Sequence, residues 1–398
     1  MTSVGAGLDP GQVASQVKQW ALEAGFDRAG VATLEPLEHG GAFVRWLERG
    51  EHAGMSYLER RVEARLVPAT ILDGATSVVC VALRYAPLAG EDEPEGDLWP
   101  GVARYARGRD YHALMEERLD VVAARVAAAF PHARSRRYVD TGPVLERELA
   151  ARAGIGVVGK NTCLLDREMG SWFLLGELFL TLELAADEPL ADLCGGCTLC
   201  LEACPTGALV EPYRLDSNLC ISYWTIEHRG ALPAAAADAA GPWVFGCDIC
   251  QDVCPWNRRR HALPPAEHDE LRLPRERGEL DLAGLLGLGR EAYVERFRGS
   301  SMKRARLQGL QRNAAAAMGN SGETRHVPAL AAALADNPDP AVRGAAARAL
   351  GRIGGVLAAA SLERALPREA DATVRGEIAA GLDAGGAQPV RLPADGFL

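Results

Sequence analysis

The sequence predicts an α+β N-terminal domain, a cysteine-rich central domain and an all-helical C-terminal repeat domain. A predicted amphipathic helix over residues 11–28 is followed by alternating short apolar segments, rich in β-branched residues, and amphipathic segments up to about residue 185. An acidic loop rich in Pro and Gly is predicted at residues 87–100. Eight of the ten cysteines fall between residues 194 and 254, and the chain after residue 329 repeats with an offset of 32 residues. Alternating strands and helices are typical of an α/β or α+β domain, and a fixed internal repeat is typical of stacked helix pairs. The expected domains are 1–187, 188–262 and 263–390.

The composition is that of a globular protein with two or three domains. The 398 residues are 48% hydrophobic and 24% charged, which excludes intrinsic disorder. The formal net charge of −10 argues against a surface that is basic throughout but permits a local basic patch. No apolar segment approaches the roughly 18 residues that a transmembrane helix needs, and no signal-peptide pattern is visible. We therefore expect a cytoplasmic protein without a membrane partner, whose thiols serve metals or catalysis.

The first cysteine run, residues 194–205, reads CGGCTLCLEACP. This C-x2-C-x2-C-x3-C-P spacing is that of bacterial ferredoxins, in which the fourth cysteine binds a different 4Fe-4S cluster from the first three. Three thiolates from one tight loop can reach three corners of a cubane, whereas the fourth lies on the following helical turn. The spacing therefore predicts a bacterial ferredoxin-like domain.

The second run, residues 247–255, reads CDICQDVCP and lacks one cysteine, which Cys220 can supply. Crossover of the ligands then predicts two 4Fe-4S clusters: cluster A with Cys194, Cys197, Cys200 and Cys254, and cluster B with Cys204, Cys220, Cys247 and Cys250. Zinc sites also use C-x2-C pairs, but zinc ribbons do not usually show the longer run. Two neighbouring clusters carry electrons, so a redox centre is expected at the end of their path. Cys80 and Cys163 are expected to be packing residues.

Three segments of the N-terminal domain carry candidate site residues. Asp110 begins a predicted helix, either as its N-cap or as a carboxylate that faces a ligand. A predicted strand ends at Asp140 and a helix follows with Pro143 in its first turn, which leaves the same two roles open. Residues 154–161 (GIGVVGKN) are nearly a P-loop, but Asn161 stands where a magnesium-binding hydroxyl is needed and a helix precedes them instead of a strand. They predict a glycine-rich turn near a ligand, and no dinucleotide-binding fingerprint occurs.

The C-terminal repeat aligns residues 329–350 with residues 361–382, and a weaker copy runs through residues 312–318. Helix-pair repeats of this kind resemble HEAT repeats, which commonly offer a concave binding face. Residues 290–312 carry seven basic side chains, opposed only by two glutamates. This segment is either a solvated helix face or a phosphate-binding patch, which residues 258–260 (RRR) could extend.

These motifs, taken in order, resemble the epoxyqueuosine reductase family over nearly the whole chain. Besides the two cysteine runs and the repeats, the resemblance rests on RYARGRDYH at 104–112, VDTG at 139–142, AGIG at 153–156, KN at 160–161, CIS at 220–222 and QRNA at 311–314. The family reduces the epoxide of epoxyqueuosine to queuosine at the wobble base of tRNA, with cobalamin in the N-terminal domain beside the clusters. The resemblance therefore implies cobalamin as a further cofactor, the tRNA anticodon loop and an external electron donor as partners, and a monomer.

The resemblance also implies roles for individual residues. Asp140 matches the family's proton donor, which would protonate the alkoxide of the opening epoxide, and it would need burial under the corrin to raise its pKa. Cobalamin contacts are expected at Arg65, Asp140, Ser222, Cys247 and Asp248. Tyr111, His112 and Asn161 are expected near the site, and Lys303, Arg304, Arg306 and Arg312 are expected to bind tRNA. Because position 115 holds Met where an Asp-x-His-x-x-Gly motif needs Gly, no histidine is expected as the lower cobalt ligand.

In the mechanism expected from this resemblance, electrons pass through the clusters to cobalamin and a flipped wobble base reaches the cobalt. Two other classes of function remain open. A reductive dehalogenase-like corrinoid reductase would act on a small molecule, but the repeats and the basic segment would then lack a purpose. A non-enzymatic electron carrier with protein-binding repeats would leave the N-terminal domain unexplained. Salt-sensitive binding of tRNA would separate the tRNA enzyme from both.

Overall fold

The computed structural model describes residues 9–85, 99, 101–258, 268–272 and 280–384. The chain divides into two compact units that alternate along the sequence. The first unit comprises Met1–Gly96, Arg107–Asn218 and Asp248–Pro274, and the second comprises Asp97–Ala106, Leu219–Cys247 and Arg275–Leu398. The acidic loop predicted at residues 87–100 lies outside the described residues except for Trp99. Within the described ranges, no helix is both long and apolar enough to cross a membrane.

All the described strands belong to the first unit, whereas the described elements of the second unit are helical. The strands are β1 (Arg28–Ala32), β2 (Ser77–Arg84), β3 (Ser135–Tyr138), β4 (Val157–Val158), β5 (Leu164–Leu165), β6 (Phe173–Leu180), β7 (Leu209–Glu211) and β8 (Arg214–Leu215). The α-helices are α1 (Pro10–Glu23), α2 (Gly40–Glu48), α3 (Val62–Leu66), α4 (Tyr111–Ala129), α5 (Glu146–Arg152), α6 (Leu199–Ala203), α7 (Ala234–Ala239), α8 (Ile249–Asp252), α9 (Pro255–Arg258), α10 (Leu282–Leu286), α11 (Arg290–Arg296), α12 (Arg306–Ser321), α13 (Val327–Asp336), α14 (Pro340–Ile353), α15 (Val356–Ala365) and α16 (Ala372–Ala384). Single 3-10 turns lie at Ser56–Glu59, Pro68–Ile71, Arg104–Ala106, Asp269–Leu271, Ser301–Ala305, Thr324–His326 and Leu366–Arg368, and a π-turn lies at Tyr223–Glu227.

A four-stranded antiparallel sheet forms the centre of the first unit, with strand order β1-β2-β6-β3. All eight residues of β2 are buried, including Cys80, as predicted for this apolar segment. Helix α5 covers one face of the sheet, and α4 packs on the other face beside α1. Burial of apolar surface on both faces stabilises this layered arrangement and confirms the predicted α+β class.

Two helix boundaries differ from those predicted. The helix expected over residues 11–28 ends at Glu23, because Gly25 adopts φ +95° and turns the chain into β1. The helix expected to begin near Pro143 begins at Glu146 instead. The turn that delays it contains Asp140 at φ +58°, a left-handed conformation that Asp tolerates better than most residues.

Paired helices form the C-terminal part of the second unit, as the repeat predicted. Helices α13 and α14 contain the first copy, and α15 and α16 contain the second. Helix α14 packs between α12 and α16. A Cβ on Gly351 of α14 would lie 2.4 Å from the Cα of Gly381 on α16, so only glycine permits this approach of the two helices.

Candidate active site and cluster ligands

The four cysteines assigned to cluster A surround one cavity of the first unit. The cavity has a volume of about 40 Å³ and is lined by Cys194, Cys197, Cys200 and Cys254 together with Lys160, Asn161 and Trp256. All four cysteines are free thiols. Burial, together with the neighbouring thiols of Cys194 and Cys254, raises the pKa of Cys200 to about 11. Four converging sulfur donors fit a 4Fe-4S cluster, whose iron atoms would hold them as thiolates.

The glycine-rich turn predicted near a ligand supports this cysteine loop through Lys160. The Lys160 ammonium group donates hydrogen bonds to the backbone oxygens of Gly195 and Cys197, at 2.6 and 2.9 Å. The Lys160 backbone N–H donates to the Sγ of Cys194 at 3.4 Å. A backbone donor that faces a cluster sulfur stabilises thiolate charge. The resemblance of residues 154–161 to a P-loop therefore reflects a turn that holds cysteine ligands.

The cysteines assigned to cluster B belong to both units: Cys204 and Cys250 to the first, and Cys220 and Cys247 to the second. In the first unit, Asn161 donates from Nδ2 to the backbone oxygen of Cys250 at 3.3 Å and accepts at Oδ1 from the backbone N–H of Cys163 at 3.2 Å. The Cys163 thiol itself hydrogen-bonds Cys250, which lowers the pKa of Cys163 against the effect of burial. Cys163 thus contacts a predicted ligand as well as packing in the unit.

Asp140 lies just after the end of β3 and is held by two hydrogen bonds, one at its backbone and one at its side chain. Its backbone N–H donates to Oε1 of Glu146 at 2.6 Å, and its Oδ2 accepts from the Tyr111 hydroxyl at 2.9 Å. The turn requires Gly142, because a Cβ there would lie 2.2 Å from the ring of Tyr138. The Asp140 side chain is 59% exposed. The burial that would raise its pKa must therefore come from a bound group.

His112 connects Asp140 to a second carboxylate. Its Nε2 lies 3.2 Å from Oδ2 of Asp140, and its Nδ1 lies 2.7 Å from Oδ1 of Asp110. Asp110 is buried and also caps α4 by accepting from the backbone N–H of His112. Partial burial lowers the pKa of His112, but the hydrogen bonds to Asp110 and Asp140 outweigh it and raise the pKa to about 9. His112 is therefore an imidazolium at neutral pH, and Asp110 has a role beyond the helix cap.

The half-buried Glu146 and the fully buried Glu177 form a carboxyl pair close to Asp140, and neither was predicted from the sequence. Burial, followed by the charge of Asp140, raises the pKa of Glu146 to about 7. Burial, followed by the charge of Glu146, raises the pKa of Glu177 well above its ordinary range. Two adjacent carboxyl groups cannot both ionise without water, so the pair retains a proton. The overlooked signal was a glutamate within the apolar strand β6.

Arg65 is the predicted cobalamin contact that most directly fits a bound polar group. It is 8% exposed, and its Nη1 donates to the backbone oxygen of Gly142 in the Asp140 turn at 3.4 Å. Its Nε is buried and has no hydrogen-bond partner among the described residues. Because a buried donor without a partner is unfavourable, this guanidinium suits an acceptor on a cofactor or substrate. Of the other predicted contacts, Asp248 is buried in the first unit and Ser222 is half-buried in the second.

Arg312 does not face nucleic acid, so its predicted role in binding tRNA is wrong. The side chain is 2% exposed, and its guanidinium donates to the backbone oxygens of Trp224, His228 and Gly230 at 2.6–3.3 Å. Lys303, Arg304 and Arg306 are exposed, as a phosphate-binding patch requires. Of the basic run at 258–260, only Arg258 lies within the described residues.

Replacing Arg312 by Ala is expected to destabilise the second unit by about 3 kcal/mol, because three inward-facing carbonyl groups would lose their donor. Urea unfolding followed by circular dichroism measures the change. The control is Arg304→Ala, which removes an exposed ion pair with Glu227 and is expected to cost at most about 1 kcal/mol. Equal effects of the two substitutions would show that Arg312 is not a structural residue.

Comparison with known proteins supplies the family. The family model described as "Epoxyqueuosine reductase QueG, DUF1730" matches residues 65–141, a "4Fe-4S double cluster binding domain" matches residues 193–257, and "HEAT repeats" match residues 302–383. The epoxyqueuosine reductase of Pseudomonas aeruginosa is 40% identical over 335 residues, which cover 81% of this chain and 89% of that protein. The chain belongs to the epoxyqueuosine reductase family.

Other epoxyqueuosine reductases agree with this assignment. The Escherichia coli enzyme is 37% identical over 79% of this chain and 83% of its own length. A crystal structure of an epoxyqueuosine reductase with an epoxyqueuosine-modified tRNA-Tyr stem loop superposes with a TM-score of 0.86 at 32% identity, over 94% of this chain and 99% of that one. A Bacillus subtilis structure, described as having its catalytic aspartate loop swung out of the active site, gives a TM-score of 0.84 at the same identity and coverage.

The family assignment confirms three predictions. The chain is an oxidoreductase of the epoxyqueuosine reductase type, its cysteine region is a double 4Fe-4S domain, and its C-terminal repeats are of the HEAT class. The match to a 4Fe-4S double-cluster domain favours iron–sulfur clusters over the zinc sites that share C-x2-C pairs. An electron carrier without enzymatic activity is not supported.

Replacing Lys160 by Met is expected to speed the loss of cluster A to an iron chelator by about tenfold, because the loop at 194–197 loses two charge-assisted hydrogen bonds. Bleaching of the iron–sulfur absorbance under anaerobic conditions measures the rate. Lys18→Met is the matched control, since Lys18 pairs with Asp187 at 2.6 Å and is absent from the cysteine cavity. Identical bleaching of the wild type and Lys160→Met would contradict a supporting role for Lys160.

Proposed function

We propose that this chain reduces the epoxide of epoxyqueuosine to queuosine at the wobble position of tRNA, with cobalamin as a third cofactor beside its two 4Fe-4S clusters. The reaction takes up two electrons and two protons and releases one water. Cobalamin, when bound, would supply a reduced cobalt able to act on the epoxide carbon. The observation that carries the proposal is Asp140, whose exposed carboxylate accepts from Tyr111 and whose backbone is held by Glu146, beside a buried arginine with an unused donor.

The residues of the first unit have distinct tasks in this reaction. Asp140 donates a proton to the alkoxide that develops as the epoxide opens, which is ordinary general-acid chemistry for a carboxyl group. Tyr111 orients that carboxyl group, and Glu146 holds the backbone of the turn that carries it. Arg65 binds a polar group of the cofactor through its buried guanidinium. Further cobalamin contacts are proposed at Ser222, Cys247 and Asp248.

The same proposal includes the ligands of each cluster and the role of each domain. Cluster A uses Cys194, Cys197, Cys200 and Cys254, and cluster B uses Cys204, Cys220, Cys247 and Cys250. The shared cavity of the first four cysteines supports the first set. Residues 1–187 would hold cobalamin and the acid, residues 188–262 the clusters, and residues 263–390 the helical repeats with the basic segment.

The substrate is proposed to dock by its anticodon loop on the basic segment, through Lys303, Arg304 and Arg306. Their exposure supports this, as does the stem loop bound by a structurally similar epoxyqueuosine reductase. Binding of backbone phosphates to such a patch is favourable because it releases counterions from the nucleic acid, whatever the net charge of the whole protein. The enzyme would act as a monomer in the cytoplasm, where its tRNA substrate is found. It would receive electrons from an external donor. A small-molecule reductase is not favoured, because the similar relatives are epoxyqueuosine reductases.

Nucleoside mass spectrometry tests the proposal. Anaerobically reconstituted protein would be incubated with epoxyqueuosine-containing tRNA and a chemical reductant, with and without cobalamin. Loss of one oxygen from the nucleoside, in the cobalamin-containing sample alone, is the expected result. Turnover without cobalamin would remove that cofactor from the proposal. No turnover by protein loaded with both clusters and cobalamin would remove tRNA as the substrate.

A further inference from the structure

The proposed reaction needs more protons than Asp140 alone can supply. It consumes two protons for each epoxide, whereas one carboxyl group carries a single proton. The exposed side of Asp140 is the side from which substrate and cofactor must approach, so docking removes water from it. A second proton then has to arrive through the protein.

His112 reaches Asp140 from the protein side. Its Nε2 lies 3.2 Å from the Oδ2 of Asp140, and its Nδ1 is 2.7 Å from a buried carboxylate oxygen of Asp110. The three groups form a continuous hydrogen-bonded chain within one compact unit. The His112 side chain is 28% exposed, so its ring also has access to solvent.

We propose that Asp110, His112 and Asp140 form a proton relay that reprotonates Asp140 during turnover, an inference that rests on the proposed function. In the first step the Nε2–H bond of the His112 imidazolium breaks, and an O–H bond forms at Oδ2 of Asp140. Asp140 then donates this proton: its O–H bond breaks and the O–H bond of the substrate forms. The neutral ring regains a proton at Nε2 from solvent, while Nδ1–H remains bonded to Asp110. Two such cycles supply the two protons, and the external donor supplies the two electrons.

Docking itself favours the proton transfer from His112 to Asp140. In the free protein the imidazolium and the carboxylate form an ion pair, consistent with the pKa of about 9 for His112. When substrate and cofactor displace water, the ion pair loses solvation, and the neutral pair becomes relatively more stable. The neutral pair is a protonated Asp140 beside an uncharged His112, which is the form needed by a general acid. The relay thus accounts for the burial-dependent acidity that Asp140 requires.

The other ionisable groups around the relay have different positions and tasks. Tyr111 donates to the same Oδ2 of Asp140, but a phenol is a weaker acid than an imidazolium and carries no positive charge to lose. Glu146 accepts from the backbone N–H of Asp140 and so holds the turn. Glu177 is fully buried and pairs with Glu146. His112 is therefore the cationic donor in contact with Asp140, and Asp110 is the positioning residue that keeps it charged.

The first experiment follows the charge of His112 without substrate. Imidazole nitrogen signals of the full-length cluster-loaded protein would be titrated by NMR, with His112 assigned by its absence in His112→Gln. A pKa of about 9 is expected in the wild type. Asp110→Asn keeps an acceptor at the cap of α4 but removes the charge, so the pKa of His112 is expected to fall by about 1 unit or more. A wild-type His112 that is neutral at pH 7.5 would overturn the relay.

The second experiment measures kcat/KM for tRNA against pH, because this ratio reports ionisations of the free protein. Since the relay starts from the imidazolium, the wild-type kcat/KM should be constant at neutral pH and fall as pH rises through about 9. In Asp110→Asn this fall should move to lower pH. His112→Gln should turn over about 10- to 100-fold more slowly, without this fall and with unchanged KM and cobalamin absorbance. Tyr111→Phe should retain the fall, which assigns it to His112 and not to the phenol.

The outcomes separate the relay from the proposed function. A wild-type protein that fails to reduce epoxyqueuosine in tRNA refutes the function, whatever the titration shows. An active wild type whose rate and pH profile are unchanged by His112→Gln refutes the relay and leaves the function intact. A slower His112→Gln enzyme that keeps the wild-type pH profile also refutes the relay, because a merely structural role would slow turnover without moving the titration.

Discussion

Turnover of epoxyqueuosine in tRNA is expected to fall by about 10²- to 10⁴-fold when Asp140 is replaced by Asn. The amide is nearly the same size as the carboxyl group and can still accept from Tyr111 at its oxygen, but it cannot donate a proton to an alkoxide. Its backbone N–H still reaches Glu146, so the turn should persist. Single-turnover nucleoside mass spectrometry measures the loss, and absorbance spectra confirm that clusters and cobalamin are retained.

Asp120→Asn provides a matched control for Asp140→Asn. The Asp120 side chain is 61% exposed, close to the 59% of Asp140, and pairs with Arg137 on the surface. It should keep wild-type turnover. Full activity of Asp140→Asn would show that Asp140 is not the acid, and the half-buried Glu146 would then be the next carboxyl group to test.

The iron content is expected to fall by about half when Cys254 is replaced by Ala, with complete loss of turnover. Cys254 closes the cavity shared with Cys194, Cys197 and Cys200, so its removal deprives cluster A of one of four ligands. Loss of that cluster would break the electron path while cluster B remains. Iron analysis and electron paramagnetic resonance of the reduced protein measure the number of clusters.

Two cysteines outside the predicted ligand sets serve as controls for Cys254→Ala. Cys80 is fully buried in β2, and Cys163 contacts the predicted ligand Cys250. Cys80→Ala and Cys163→Ala should both retain the iron of two clusters. A Cys254→Ala protein that keeps the iron of two clusters would show that Cys254 is not a cluster ligand.

The features predicted correctly depend on spacing along the chain. The two cysteine runs, the 32-residue repeat and the cap of α4 by Asp110 are each defined within a few residues or by one fixed offset. Ligand spacing and helix capping obey local geometry, so a single sequence suffices to recognise them. The class of the N-terminal domain was also predictable, because a buried strand such as β2 needs a continuous apolar segment.

The features that were missed or wrong depend on distant neighbours. Arg312 lies in a basic segment, for which exposure at the surface is expected. It is buried instead, because backbone oxygens some 80 residues earlier in the chain accept its hydrogen bonds. Helix α1 ends earlier and helix α5 begins later than predicted, because turns intervene whose backbone conformation cannot be recognised in the residue pattern. Glu177 was overlooked because its partner, Glu146, lies on α5, on the adjacent layer of the fold.

The sequence by itself was enough to predict the cluster ligands, the helical repeats and the motif that contains Asp140, because each is a pattern of residues at fixed, short spacing. Only the tertiary structure decided which groups surround Asp140. It placed Tyr111 and His112 from α4 at the carboxyl group of Asp140 and Glu146 from α5 at its backbone N–H, and it placed Lys160 against the cysteine loop. The physical reason is that protonation and hydrogen bonding depend on distances of about 3 Å between side chains. Such distances between residues far apart in sequence are set by packing alone.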